Sequence, residues 1–213
     1  MDTSIVTSVY GTAEAEYTIK KSRFIASLKE ITSEDEALQF INETKKKYWD
    51  ARHHCYAWQL GTSGLHQKSG DDGEPSGTAG RPMLEVLKKT GITNTIVIVT
   101  RYFGGIKLGA SGLVRAYSHA VTLGLEAASI ADYKPYIEAR LCFAYTFMNT
   151  IERSLPTWGI ITTNRDFAES VTFDLQIPEE AFPAFQKQLN DATAATAVLT
   201  KQDMITLPIL RQK

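Results

Sequence analysis

The segment from Arg101 to Tyr117 combines glycines and cations in a spacing suited to binding an anion. It reads RYFGGIKLGASGLVRAY, follows an apolar β-branched run that ends at Thr100, and leads into a helix-like pattern. A strand, a glycine-rich turn and a helix in this order direct backbone N–H groups and a helix N-terminus at an anion. The alternative is a tight connection whose glycines serve only packing. The residues predicted to bind phosphate or RNA are Arg101, Tyr102, Gly104, Gly105, Lys107, Gly109, Ser111 and Arg115.

A second segment, SGDDGEPSGTAGRP at 69–82, places three acidic residues among glycines and predicts a loop. Asp71, Asp72 and Glu74 repel one another unless a cation lies between them. That cation is either Mg²⁺, held through carboxylates and water, or an arginine of the chain. The candidate arginines are Arg81, Arg101 and Arg115. Both a disordered surface turn and an ordered functional loop fit this composition.

The run HHCYAWQLG at 53–61 predicts a strand. Side chains alternate between the two faces of a strand, so His53 and His54 point apart and cannot chelate one metal ion. No other cluster of cysteine and histidine supplies the missing ligands, and we predict no metal site and no cofactor. His53 stays a candidate neighbour of the acidic loop.

Composition excludes several classes of protein. The 213 residues carry a net charge of −1, so any nucleic-acid surface must be a local basic patch. The two cysteines form no metal or disulfide pattern. No apolar stretch approaches the ~20 residues that a membrane span needs, and the N-terminus lacks a signal-peptide pattern. A cytoplasmic protein without a membrane partner is the expectation.

The pattern of elements predicts two domains of the α+β class. DYKP at 132–135 reads as a linker after a long helix. The remainder of the chain has the order β-α-β-β-α-β, that of the ferredoxin-like split βαβ. We therefore divide the chain into 1–133 and 134–213. In the first part, the elements expected are one bent or two separate strands at 15–31, a helix capped by Ser33, a strand at 53–61, a helix at 83–91, a strand at 94–100 and a helix at about 111–128.

Three ordered motifs carry a resemblance to a known family. HHCYAW, DDGEPSGTAGRP and RYFGGIKLGASGLVRAYS resemble signature segments of the IMPACT/YigZ family (uncharacterised protein family 0029), with a framework that covers about 20–130. The chain is similar to the bacterial two-domain members. The resemblance implies a ribosomal protein S5 domain 2-like fold, as in domain IV of elongation factor G, followed by a ferredoxin-like domain similar to domain V of that factor. Eukaryotic relatives restrain a starvation-responsive kinase with the help of a further RWD domain, which we do not recognise in this sequence, so that role is not carried over.

Three functions remain open. The first is a non-enzymatic protein of translation, and possible regulator of it, that binds RNA or the ribosome through the 101–117 turn, with Tyr102 and Phe103 stacking on bases. Alternation along the strand predicts that one of these two aromatic side chains lies in the core. The second is an enzyme for a phosphorylated small molecule or nucleotide, with Mg²⁺ at Asp71, Asp72 and Glu74 and His53 as general base. The third is a protein-docking module whose acidic loop binds a basic partner. We assign no catalytic residue, and the partners expected are RNA or the ribosome, with a protein of translation as a further possibility.

Overall fold

The computed structural model describes residues 6–62 and 64–212, which form two compact α+β units. The first unit is the chain up to Tyr133 together with the segment that begins at Pro208, and the second runs from Lys134 to Leu207. The sequence assigns the last residues to the second domain. Arg211 instead lies in the first unit, where its Nη2 donates to Asp132 Oδ1 at 2.7 Å and its backbone N–H donates to the Ile130 carbonyl at 2.8 Å. Over the described residues, no helix has the length and apolar character needed to cross a membrane.

A five-stranded antiparallel sheet forms the centre of the first unit. A short strand, β1 (Val6–Val9), pairs outside this sheet with the start of the strand Ile130–Phe143. The strands of the sheet are β2 (Thr12–Ile19), β3 (Ser22–Glu30), β4 (His53–Leu60), β5 (His66–Gly70) and β6 (Thr95–Tyr102), in the spatial order β2-β3-β6-β4-β5. The middle strand β6 is buried from Thr95 to Arg101, as its apolar β-branched run predicts.

Helices cover both faces of this sheet. They are α1 (Glu34–Lys47), α2 (Gly80–Thr90) and α3 (Ala110–Ala127). One face packs against α2 and α3 in a core that includes Phe24, Met83 and Tyr117. The other packs against α1 in a smaller core that includes Ile41 and Trp58. Because side chains alternate along β4, this one strand contributes side chains to both cores.

The second unit has the element order predicted for it. Its elements are β7 (Ile130–Phe143), whose first residues belong to the first unit, α4 (Met148–Ser154), β8 (Ile161–Phe167), β9 (Val171–Pro178), α5 (Phe182–Thr193) and β10 (Val198–Leu210). The spatial order of the strands is β8-β9-β7-β10. Strand β9 alternates strictly between buried and partly buried residues, and its buried side packs against α4 and α5 through residues such as Phe173 and Phe185.

The prediction of a linker at 132–135 is wrong, because DYKP lies within β7. Proline lacks the N–H that a ladder needs, yet it is tolerated where no partner requires that donor. The ladder to β1 ends at Tyr133 and the ladder to β9 begins at Tyr136, so Pro135 lies between these two ladders, while β10 also pairs with β7. The chain therefore stays extended where the sequence indicates a break.

Candidate anion-binding cleft

A cleft of about 410 Å³ opens in the first unit where β6 leads into α3, and we call it the α3 cleft. Its walls come from three separate stretches of the chain. They are lined by Arg52, His53, Glu74, Pro75, Arg101, Phe103, Lys107, Leu108, Gly109, Ala110 and Leu113. Three cationic side chains face one carboxylate, so the lining is net positive.

The pairing of β4 with β6 brings two of these stretches together. His53 lies opposite Arg101 in the register of the two strands, and Arg52 is the residue before β4 begins. Strand β6 ends at Tyr102. Phe103 and the residues after it are therefore free of the ladder and turn along the mouth of the cleft towards α3. The position of the α3 cleft is thus determined by the register of β4 with β6 and by the end of β6 at Tyr102.

The glycines of the turn between β6 and α3 have different roles. A Cβ on Gly104 would lie 2.0 Å from the carbonyl carbon and oxygen of Lys21, and the Gly104 N–H donates to Ser22 Oγ at 3.1 Å. Gly104 therefore serves close packing, and its amide is not available to a ligand. Gly105 and Gly109 have φ of 84° and 74°, in the left-handed region that favours glycine. Of these three glycines, only Gly109 lines the α3 cleft.

The N-terminus of α3 lacks the side-chain acceptors that the other two helices of this unit have. Ser33 Oγ accepts from the Glu36 N–H at 3.2 Å and caps α1 as predicted, with three acidic residues in the first turn. Asp71 accepts from the first amides of α2. For α3, the N-cap is Gly109, no side chain caps it, and the first turn holds no acidic residue. Within the described residues, the amides of Ala110, Ser111 and Gly112 have no hydrogen-bond acceptor, and such a terminus attracts anions.

Arg101 lies at the base of the cleft in a buried ion pair. Its Nη1 donates to Glu74 Oε1 at 2.6 Å, and the two side chains are only 6% and 4% exposed. Tyr117 Oη donates to the same Glu74 oxygen at 2.8 Å. The guanidinium carbon lies 5.4 Å from the centre of the Phe24 ring and 5.5 Å from that of Phe103. The sequence indicates Arg101 both as a phosphate ligand and as a partner of the acidic loop, and strand alternation turns its side chain inward to Glu74.

One donor of Arg101 has no partner. Its Nε is buried and makes no hydrogen bond within the described part of the chain. Buried polar groups are normally paired, and an unpaired donor carries a desolvation cost. Because Arg101 lines the α3 cleft, this unpaired donor lies within the wall of the cleft.

The acidic loop is ordered by hydrogen bonds within the first unit. Asp71 accepts from the N–H groups of Gly77, Ala79 and Gly80 at 2.8, 3.0 and 2.8 Å. Burial raises the pKa of Asp71, but these three amides outweigh it and hold the pKa below the usual 3.8. Its oxygens are thus occupied by main-chain donors of the loop and of α2.

Asp72 is neutralised in a different way. It accepts from Lys45 Nζ at 2.8 Å and from the His54 N–H at 2.7 Å. Burial again raises its pKa, and these two donors lower it further than burial raises it. His53 lies beside the loop, with Nδ1 2.9 Å from the Asp72 carbonyl oxygen. A carbonyl only accepts, so Nδ1 carries the proton in this contact. Lys45 thus pairs with Asp72, whereas Glu74 of the same loop pairs with Arg101, one of the three arginines considered from the sequence.

The remaining residues singled out from the sequence do not all meet at the cleft. Lys107 is exposed and lines it, whereas Ser111 and Arg115 are exposed on α3 beyond its lining. Tyr102 lies outside it and donates to Asp50 Oδ1 at 2.7 Å. Neither Tyr102 nor Phe103 reaches the core, contrary to expectation, because β6 ends between them. Sequence reasoning misses Arg52, since nothing in a lone arginine before a strand marks it.

Further cations lie beside the turn. Lys20 and Lys21 form the two-residue connection between β2 and β3, and both have positive φ, 45° and 63°. Such turns favour asparagine and glycine. The close approach of Gly104 to Lys21 places this connection against the glycine turn. Both lysines are exposed, and neither has an ion-pair partner among the described residues.

The three acidic side chains of the loop are therefore not arranged as a metal site. Each accepts from donors of the chain itself, and the part of the chain that is described contains no group of three or more histidine, cysteine, aspartate or glutamate side chains that could hold a metal ion. Mg²⁺ would have to displace Lys45 from Asp72 or Arg101 from Glu74.

Comparisons with known proteins assign the chain to a family. The model of the Impact N-terminal domain matches residues 20–125, and a domain of unknown function (DUF1949) matches residues 142–196. The IMPACT family member YvyE of Bacillus subtilis is 42% identical over 180 residues, which cover 84% of this chain and 83% of that protein. The chain belongs to the IMPACT family. Another IMPACT family member, YigZ of Escherichia coli, is 37% identical over 175 residues, covering 81% of this chain and 86% of YigZ.

A solved structure extends the similarity to nearly the whole of this IMPACT chain. It is described as the crystal structure of a hypothetical protein, is 31% identical, and aligns with a TM-score of 0.60 over 94% of this chain and 98% of its own. The resemblance carried by the three motifs is thus confirmed at the level of the family.

Proposed function

We propose that this IMPACT family member is a non-enzymatic, translation-associated protein that binds a phosphate of RNA or of the ribosome in the α3 cleft. The observation that carries the proposal is the uncapped N-terminus of α3, which opens into a cleft with two exposed cations, Arg52 and Lys107. Free amides, the helix dipole and fixed positive charge together form an anion site.

In this proposal, each group around the phosphate has a distinct role. The amides of Ala110, Ser111 and Gly112 donate to its oxygens, and Lys107 and Arg52 supply countercharge. The unpaired Nε of Arg101 is a further donor at the base. Arg115, four residues after Ser111 on the same face of α3, extends the positive surface for a neighbouring phosphate. The Arg101–Glu74 pair holds the base of the cleft in place.

The association with translation comes from the family resemblance and is supported by the second unit. We propose a ferredoxin-like fold for that unit, because the order β-α-β-β-α-β with the strands arranged β8-β9-β7-β10 is that of a split βαβ. For the first unit we propose the ribosomal protein S5 domain 2-like fold. Both are folds that the resemblance links to elongation factor G. The role implies a cytoplasmic location, with a protein of translation as a further candidate partner.

Two alternatives have less support. An enzyme with Mg²⁺ at the acidic loop needs free carboxylates, whereas Asp71, Asp72 and Glu74 all accept from protein donors. A docking module needs an exposed acidic surface, whereas Glu74 is buried and Asp72 is paired with Lys45. The loop instead supports α2 and the base of the cleft.

The experiment compares charge removal inside and outside the cleft. Lys107→Ala and Arg52→Ala should weaken co-sedimentation with ribosomes, and each should lower the slope of log Kd against log salt by about 1 for a lost phosphate contact. Lys89→Ala is the matched control, because Lys89 is exposed at the end of α2 and does not line the α3 cleft. If the cleft variants sediment like the parent chain or like Lys89→Ala, the proposal is overturned.

A further inference from the structure

Trp49 is exposed to an unusual degree for a tryptophan. It leaves 82% of its surface in water, whereas Trp58 in the same unit is 2% exposed. Neither core cluster of the first unit includes Trp49. A single exposed apolar side chain is common on protein surfaces, so Trp49 indicates a partner only together with the charges and the second ring described below.

The loop that carries Trp49 is held in place next to the α3 cleft. The Tyr48 N–H donates to the Thr44 carbonyl at 3.0 Å and ends α1, and the Ala51 N–H donates to the Tyr48 carbonyl at 3.0 Å. Asp50 accepts from Tyr102 Oη, which ties the loop to the end of β6. The next side chains along are Arg52 and His53, both in the cleft lining. Trp49 is therefore presented on a fixed backbone, which limits the entropy lost on binding.

The charges around Trp49 are those that suit a polyanion. The sequence is KKKYWDAR, and Lys46 and Arg52 flank the ring within three residues on either side. Both are exposed and have no ion-pair partner among the residues the structure describes, whereas the lysines on either side of Lys46 pair with Asp72 and Glu14. Phe103, 49% exposed, adds a second ring at the cleft.

We infer that the α3 cleft and Trp49 together bind single-stranded RNA, with one phosphate at the α3 N-terminus and an unpaired base stacked on the Trp49 ring. The inference rests on the proposed function and narrows its ligand. Aromatic rings alternating with cations are typical of single-strand binding, because every base has a face to stack on while the cations follow the backbone. A duplex keeps its bases stacked on one another and offers Trp49 no such face. A protein partner would more often meet Trp49 within an apolar patch, whereas its neighbours in the sequence include the charged residues Lys46, Asp50 and Arg52.

The test uses the fluorescence of Trp49. In a Trp158→Phe background, Trp49 and the buried Trp58 remain, so quenching on titration with a short oligouridylate reports the exposed ring. The Trp49→Leu variant should bind labelled oligouridylate about tenfold more weakly, as measured by fluorescence anisotropy. This loss is equivalent to about 1.4 kcal/mol of binding free energy. Trp49→Phe should keep most of the affinity. A duplex of the same length should compete at least about tenfold less well than the single strand.

The outcomes separate this inference from the proposed function. If Lys107→Ala weakens binding while Trp49→Leu does not, or if the duplex competes as well as the single strand, the phosphate site stands and the inference is overturned. If Trp49→Leu loses ribosome co-sedimentation but keeps oligouridylate binding, Trp49 meets a protein and the inference is overturned as well. If Lys107→Ala has no effect on either ligand, the proposed function itself fails. Because Trp49 is exposed, unchanged unfolding midpoints should show that its variants remain folded.

Discussion

Replacing Arg101 by leucine should destabilise the first unit far more than replacing Lys107, although both cations lie at the same cleft. In Arg101→Leu the carboxylate of Glu74 stays buried, 4% exposed, with its charge uncompensated. Removing one partner of a buried pair costs about 3–5 kcal/mol. Tyr117 Oη still donates to Glu74, so we expect the lower end, about 3 kcal/mol. Lys107→Leu should change the free energy of unfolding by less than about 0.5 kcal/mol, as exposed substitutions do.

The Glu74→Leu variant and the double variant, in which both Arg101 and Glu74 are replaced by leucine, complete a double-mutant cycle. Glu74→Leu removes the acceptor of both Arg101 Nη1 and Tyr117 Oη, so we expect the higher end, about 5 kcal/mol. The double variant leaves no buried charge, and it should be much more stable than the sum of the single losses implies. The whole free energy of unfolding of a protein domain is only about 5–15 kcal/mol. An Arg101 variant therefore loses stability as well as a donor at the cleft, so its loss of RNA binding does not separate the two effects.

Urea unfolding at neutral pH measures these differences. The two units need not unfold together, so the probe must belong to the first. Trp58 is buried there, and Trp49→Phe with Trp158→Phe leaves it as the only tryptophan of the three in the sequence. A loss below about 1 kcal/mol in Arg101→Leu would refute the reasoning, as would a double variant as unstable as the sum of the two single variants. Either result would mean that water reaches the pair.

Two further predictions concern the loops around the cleft. The pKa of Asp71 is lower in the folded chain, so the unfolded chain binds more protons and stability should fall as pH drops below about 3.8. In Asp71→Asn, the urea midpoint should fall less steeply with decreasing pH in this range. An unchanged dependence of the midpoint on pH would count against the three amide contacts. Gly104→Ala should cost about 2 kcal/mol or more through its clash with Lys21. Gly105→Ala, with open space but positive φ, should cost about 1 kcal/mol in the same assay, and equal losses would contradict this packing.

The sequence predicts elements well where burial and capping leave a pattern. The apolar run before Arg101 and the Ser33 cap correspond to β6 and α1. No strand is predicted from the sequence at β5, because HQKSG is exposed or half-exposed along its length and has no apolar alternation. Hydrogen bonds to β4 hold this edge strand, and sequence patterns do not report them.

The candidate site is predicted only in part, for a similar reason. The glycine turn and Lys107 stand out in the sequence because their types are unusual together. Alternation turns Arg101 inward, but it does not reveal that Glu74, 27 residues away, lies opposite. Likewise, the three amides that converge on Asp71 depend on the path of the loop, so the acidic segment looks like an open site in the sequence and is in fact an internally bonded one.

The three stretches that wall the α3 cleft are separated by many residues and meet only when the sheet has formed. A ligand of the cleft therefore binds the folded chain and has little affinity for the unfolded chain. A bound ligand then stabilises the arrangement of the sheet and the start of α3. At a ligand concentration about a hundred times Kd, binding adds about 2.7 kcal/mol to the free energy of unfolding. Under the proposed function, binding of a phosphate in the cleft would therefore also stabilise the folded first unit.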